Sequence, residues 1–230
     1  MFERFATRSR ELERLDTGDY TPQEYSRWQS EMRVIHRVFG ELRALKKTLV
    51  AEVLASNSER VSILDVGAGS GELLRLLRKE LVGKKVFLAG LELNSDAAVS
   101  IRKLGSDSLQ ADAMRLPFED DSFDHVYCSL FLHHLDDGPA IKMLGEMSRV
   151  ARKKIFVVDL NRSPIPYYFY KIVGRLFLQK FTVEDGALSI LRARQPEELL
   201  ELAERAGLKN TRVTQSKANR LVLSSQNRER

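Results

Sequence analysis

The apolar positions change their period twice along the chain. Up to residue 57 they recur at helical spacing. Trp28, Met32, Ile35 and Phe39 fall on one side of a helix that Thr21 caps and Pro22 opens. A second helical run covers 42–54, after Gly40. From Val61 the pattern becomes short apolar runs separated by amphipathic stretches. It predicts strands at 61–66, 86–93, 107–111, 125–129 and 154–159, the third being short and weak. Between them it predicts helices at 72–81, at 95–104 with Ser95 as cap, and at 137–151. In the last of these, Ile141, Leu144, Met147 and Val150 share one face.

The alternation stops after Asn161. Residues 164–181 carry Tyr167, Tyr168, Phe169, Tyr170, Phe177 and Phe181. A helix over 196–206 ends before Gly207, and two strand-like pieces at 211–214 and 220–223 follow. The gap between these pieces suits a hairpin and is too short for a parallel crossover. The expected fold class is α/β, with five parallel strands in a doubly wound sheet, a C-terminal antiparallel hairpin and helices on both faces. The expected domains are an N-terminal helical cap over 1–57 and a core over 58–230, with lid helices inserted at about 162–195.

Bulk composition narrows the class only modestly. Of the 230 residues, 43% are hydrophobic and 30% charged, which suits a globular protein with a real core. No apolar run reaches the length of a membrane span, and the opening "MFERFATRSRELER" has no signal-peptide core, so a cytoplasmic protein is expected. Cys128 is the single cysteine and reads as a core residue. The net charge of +5 raises nucleic acid as a partner, but the basic residues are interleaved with acids and form no long block. The closing "QNRER" reads as a solvated tail.

The stretch "SILDVGAGSGELLRLL" runs from Ser62 to Leu77 and places Gly67, Gly69 and Gly71 directly after the first strand. In open α/β sheets, ligands bind beyond the carboxyl ends of the strands, and bare glycines let a ligand lie against the main chain. A dinucleotide fingerprint has G-x-G-x-x-G spacing. Counted from Gly67, its third glycine would fall at Glu72. Here the spacing is G-x-G-x-G, with Asp65 two residues ahead. Glu92 closes the second strand, where a carboxylate can accept from a ribose diol. Asp112 follows the third strand, where an acid can accept from an adenine amine.

The motifs "LDVGAGSG", "GLELN", "ADAMRLPFEDDSFDHVYCSLFLHHL" and "MSRVARKKIFVVDLNRS" occur in order over about 60–160. Together they resemble the successive motifs of class I S-adenosylmethionine-dependent methyltransferases with a Rossmann-like core, of the small-molecule type that includes the ubiquinone and menaquinone enzymes. More narrowly, "LDTGDYTPQEYSRWQSEMRVIHRVFG", "DLNRSPIPYYFY" and "EDGALSILRARQPEELLELAERAGL" resemble the small methyltransferases found beside bacterial type III polyketide synthases. His36 stands where that subgroup has an Asn. The resemblance implies S-adenosyl-L-methionine as cofactor. It implies Asp65, Gly67, Ala68, Gly69 and Gly71 around the methionine part, and Glu92 on the ribose with Leu93 against the adenine. It further implies Asp112 and Ala113 at the adenine edge, and Ser129 and Leu130 toward the sulfonium.

Methyl transfer needs alignment above all, and a base only where the acceptor must lose a firmly held proton. His133 and His134 follow the fourth strand and are the candidate bases. In the alternative reading one ring is packed and the other caps the loop before Asp136. Asp159 and Arg162 follow the fifth strand and either orient an acceptor or pair with each other. No metal site is expected, since the two histidines are adjacent and no further Cys or His joins them. The leading function is methylation of a small apolar or phenolic acceptor, with oxygen favoured. An RNA or DNA methyltransferase is the first rival. Ser129-Leu130-Phe131-Leu132 matches neither the Asn/Asp-Pro-Pro-aromatic nor the Pro-Cys motif of such enzymes. A non-catalytic S-adenosyl-binding protein would carry a damaged glycine loop or lack the ribose acid, and a dehydrogenase would have different glycine spacing. The sequence does not fix the acceptor or the oligomeric state.

Overall fold

The computed structural model describes residues 3–216 and 219–227, so the last three residues of the expected C-terminal tail lie outside the described part. Seven strands form one sheet: β1 Arg60–Val66, β2 Lys85–Glu92, β3 Asp107–Gln110, β4 Phe123–Ser129, β5 Ala151–Leu160, β6 Thr211–Gln215 and β7 Arg220–Gln226. Their order is β3-β2-β1-β4-β5-β7-β6. The first five are parallel; β7 runs antiparallel to both β5 and β6. The expected architecture is therefore observed. The strand order reverses between β1 and β4, the switch point at which such sheets bind ligands.

Alternation along the strands feeds two cores. On one face Leu64, Val66, Val126, Cys128, Ile155 and Val157 pack against helices α7 (Asp137–Val150) and α10 (Pro196–Arg205). On the other face Val61, Ile63, Tyr127, Phe156 and Val158 pack against α5 (Glu72–Glu80). They also meet α3 (Glu41–Leu45), a π-helical turn at Lys46–Val50 and α4 (Ala51–Ala55). Residues 41–55 thus cover the sheet, while the helix before them, α2 (Pro22–Val38), does not join this cluster.

Local chemistry adjusts several expected boundaries. Helix α6 (Ser95–Lys103) is capped by Asn94, whose side chain accepts from the N–H groups of Asp96 and Ala97; Ser95 is its first residue, not its cap. Strand β5 starts at Ala151, three residues earlier than expected. Lys153 and Lys154 are half-buried there and send their ammonium groups to Ser58 and Glu52, so polar residues continue the strand. The segment after β5 folds as α8 (Pro164–Phe177) and α9 (Lys180–Arg192), and with α2 it overhangs the carboxyl ends of the strands. Residues 3–20, including the single turn α1 (Arg14–Thr17), run over this region and form a third apolar cluster through Phe5, Leu160, Tyr167, Tyr170, Ile190 and Leu191.

Candidate active site

A cavity of about 1100 Å³ opens where β1, β2 and β4 end. Its floor is the turn after β1. The Gly67 N–H and Ala68 N–H both donate to the Leu91 carbonyl, at 2.9 and 3.2 Å, locking the turn to β2. Gly67 has φ +73°, and a Cβ there would lie 2.7 Å from the Phe131 ring, so only glycine fits. Gly69 has φ +54° with nothing within 4 Å of a would-be Cβ, leaving its main chain bare on the cavity side. Its N–H donates to Glu92 Oε1 at 2.6 Å, which ties the glycine turn to the end of β2.

Asp65 is fully enclosed and also lines the cavity. Its Oδ2 accepts from the Tyr127 hydroxyl at 2.6 Å. Burial drives its pKa up to about 8, against that hydrogen bond and with help from the Glu92 charge. Glu92 is also pushed up by burial, opposed by backbone donors from Gly69, Leu93 and Asn94. At the end of β4, Ser129 Oγ is buried without a hydrogen-bond partner among the described residues, and it lines the cavity. Leu130 follows at φ +52°, an uncommon conformation for a branched residue, held by its N–H donating to Val158 O.

The histidines sit on a 3₁₀ turn, Leu132–His134. Asp159 grips His133 twice: its Oδ2 accepts from the His133 backbone N–H at 2.9 Å, and its Oδ1 lies 2.7 Å from Nδ1. A neutral ring that donates from Nδ1 presents Nε2 as an acceptor. Asp159 is held below the usual carboxylate range: burial raises its pKa, but the His133 ring and its hydrogen bond outweigh that. His133 lines the cavity, with Asp159 behind it. The His134 ring lies tilted against His133 with centroids 4.2 Å apart, and its Nδ1 meets Asp16 Oδ1 at 2.9 Å. Neither ring caps the loop before Asp136 by a side-chain bond.

Residues 8–19 form a strap across these groups. Arg8 donates to the carbonyls of Arg192, His133 and Leu135. Asp185 accepts from the N–H groups of Arg14 and Leu15, and Arg192 pairs with Asp16. The strap brings Glu13 into the cavity wall, buried, with Oε1 3.9 Å from His133 Nε2 and 3.9 Å from His134 Nδ1. Burial raises the Glu13 pKa to about 7, offset in part by His134. Glu13, Asp16, Asp185 and Arg192 were invisible to sequence reasoning, since nothing local marks residues that meet across more than 100 positions. Among the described residues Glu13, His133 and His134 are also a set with metal-binding atoms, a grouping the sequence alone did not suggest. Asp16 already holds the His134 Nδ1, and the Arg192 cation lies 4.0 Å from Glu13 Oε1.

Other predicted residues fall elsewhere. Arg162 does not line the cavity. It is buried on the far side of the strand end, donating to Glu198 and to the carbonyls of Phe5, Ala6 and Ala193. It therefore neither faces an acceptor nor pairs with Asp159. Leu93, Asp112 and Ala113 lie outside the cavity lining; Asp112 accepts from the Met114 N–H in a tight turn. Trp28, Met32 and Ile35 of α2 line it, as do Ile165, Phe169 and Tyr170 of α8, while Tyr168 packs on Phe5 instead.

A sequence profile described as a methyltransferase domain matches residues 64–158. The demethylmenaquinone methyltransferase of Staphylococcus aureus is 32% identical over 169 residues, covering 65% of this chain and 68% of that protein. The chain belongs to the class I S-adenosylmethionine-dependent methyltransferases. The demethylmenaquinone methyltransferase of Deinococcus radiodurans is 27% identical over 84% of this chain and 87% of its own. The methyltransferase fold extends to the magnesium protoporphyrin IX methyltransferase of Synechocystis PCC 6803 with bound S-adenosylhomocysteine, at TM-score 0.63 and 16% identity, covering 94% of this chain and all of that one. The methyltransferase's cofactor is S-adenosylmethionine, and the cavity floor fits it. The bare Gly69 Cα leaves room for a ligand, the Asp65 and Glu92 carboxylates suit an ammonium and a diol, and the Ser129 hydroxyl, without a partner among the described residues, lines the same cavity.

Proposed function

We propose that this methyltransferase transfers a methyl group to the hydroxyl oxygen of a small, largely apolar phenolic acceptor, with His133 as general base. The observation that carries this reading is the buried His133–Asp159 pair at the cavity wall. S-adenosylmethionine, when bound, supplies an electrophilic methyl group. Asp65, Gly67, Ala68, Gly69 and Gly71 hold its methionine end, with the Asp65 carboxylate toward its ammonium. Glu92 takes the ribose, Leu93, Asp112 and Ala113 border the adenine, and Ser129 and Leu130 face the reacting side.

The acceptor occupies the apolar half of the cavity, below α2, α8 and the strap. Asp159 fixes the His133 ring so that Nε2 is the free basic atom, and His133 takes the phenolic proton as the oxygen attacks. Glu13, 3.9 Å from that nitrogen, stabilises the imidazolium that forms. The cavity lining of Trp28, Met32, Ile35, Phe169 and Ile190 sets a preference for flat or aliphatic acceptors. The names of the quinone-directed relatives support an acceptor of this size and character. Residues 3–38 and 162–195 serve this reading as cap and lid, with 41–55 part of the core.

The test is a screen of phenolic and hydroquinone acceptors with isotopically labelled cofactor, followed by mass spectrometry of the product. Methyl on oxygen, with an acidic limb of the rate–pH profile that disappears in His133→Gln, is the expected result. Methyl on ring carbon, or turnover that His133→Gln leaves unchanged, refutes the base assignment.

A further inference from the structure

Helix α8 is apolar on two opposite sides. Tyr167, Tyr170 and Gly174 face the protein and are buried. The other side presents Ile165, Phe169, Ile172 and Leu176 at helical spacing, with 80%, 56%, 68% and 73% of their surface exposed, and Phe177 beside them at 74%. A surface helix ordinarily turns charged residues outward, and an exposed apolar stripe of this length marks an interaction surface. Val38 of α2, largely exposed, lines the same cavity mouth as Ile165 and Phe169.

Two further features say what covers the stripe. Its edges differ. Along one edge lie Lys171 and Arg175, with Lys180 beyond the helix end. Lys171 holds its Nζ over the Tyr167 ring, and Arg175 is exposed. Of the acids near that end, Glu184 pairs with Lys180 at 3.7 Å, and Glu31 accepts from the Gln179 N–H and pairs with Arg27. Along the other edge Pro166 and Val173 turn into the cavity, and Ile165, Phe169 and Val38 belong both to the exposed surface and to the cavity lining. The apolar patch is therefore continuous with the cavity mouth and bordered by cations. No helix among the described residues is long and apolar enough to cross a membrane, so the arrangement is that of a helix lying in an interface.

We propose that α8, with the end of α2, docks this enzyme onto an anionic lipid bilayer, with the cavity mouth facing the acyl region. The stripe enters the boundary between headgroups and chains, and Lys171 and Arg175 meet the lipid phosphates. An acceptor dissolved in the membrane then enters without crossing water. The docking stands apart from the acceptor assignment, because vesicle binding reads the one and turnover the other.

The test is co-sedimentation of the full chain with vesicles of phosphatidylcholine alone and of phosphatidylcholine with phosphatidylglycerol. Binding to the anionic vesicles that weakens with salt is expected. Leu176→Glu together with Ile172→Glu, neither of which lines the cavity, should lower it at least about tenfold. Lys171→Gln with Arg175→Gln should remove the preference for anionic lipid while leaving the stripe intact. Unchanged affinity for S-adenosylhomocysteine in each variant confirms that the fold is kept. No binding to anionic vesicles, or binding that the glutamates leave intact, overturns the proposal. So does a dimer in solution that the glutamates dissolve while the wild type ignores vesicles.

Discussion

The floor of the cavity and its roof meet the same space but draw on very different lengths of chain. The floor is made by neighbours: Gly69 and Glu92 are 23 residues apart, and His133 and Asp159 are 26. The roof is made by strangers: Asp16 and Arg192 are 176 apart, and Arg14 and Asp185 are 171. Strand–helix units deliver the floor with each turn already at the sheet edge. The roof depends on ion pairs and buried carbonyls that no local pattern encodes.

The sharpest way to separate the two regions is to remove the group on their boundary. His133→Gln should lower turnover about 10²–10⁴-fold, the range for a positioned general base, while cofactor affinity stays within about twofold. Single-turnover rates and calorimetry give the two numbers. Next in size is Glu92→Ala in the floor. It removes a charged acceptor and should weaken cofactor binding by about 1.5–3 kcal/mol, roughly 10- to 150-fold. If Glu92→Ala altered acceptor affinity instead, the division between floor and roof would fail.

A cut in the roof should behave in the opposite way. Asp185→Ala frees the N–H groups of Arg14 and Leu15, and the strap with them. It should raise acceptor KM by about fivefold, with cofactor affinity unchanged, since only part of the free energy of the two lost hydrogen bonds is felt at the acceptor. Steady-state kinetics at saturating cofactor will show it.

Proton linkage gives the smallest and most specific test. The Glu13 carboxyl titrates near 7 in the folded protein against an ordinary 4.5. Between those values the folded state holds a proton that the unfolded chain has lost. Stability from this group is complete below about 4.5 and falls as pH rises through 7, by about 2–3 kcal/mol. Urea melts from pH 5 to 8 should show this slope in the wild type and a flatter one in Glu13→Gln.

The same contrast explains what was legible beforehand. The glycine spacing, Glu92 and the strand alternation are local, and the five parallel strands and the closing hairpin could be read from such patterns, though the strand order could not. The histidines were recognised as candidates, yet the partner of His133 was not. Asp159 and Arg162 are three residues apart, but the chain turns between them and sends one into the wall and the other to Glu198. Arg152 and Lys153 fell outside the expected strand at 154–159 because charged residues interrupt the apolar run, yet β5 continues through them to Ala151. Tyr168 and Tyr170 lie on different faces of α8, two residues apart in a period of about 3.6 residues, and only Tyr170 reaches the cavity.

The strap also sets an order of events during synthesis. Its residues leave the ribosome before every other part of the site, yet Leu15 finds Asp185, and Arg8 and Asp16 complete their sets of partners at Arg192, only once residues 185–192 have emerged. The parallel sheet and its glycine turn need none of them. A chain stalled after β5 would carry the glycine turn without α8 or α9 above it, with the first-made segment still waiting. Completion of the acceptor side is thus among the last steps of folding, because the earliest residues close over the later ones.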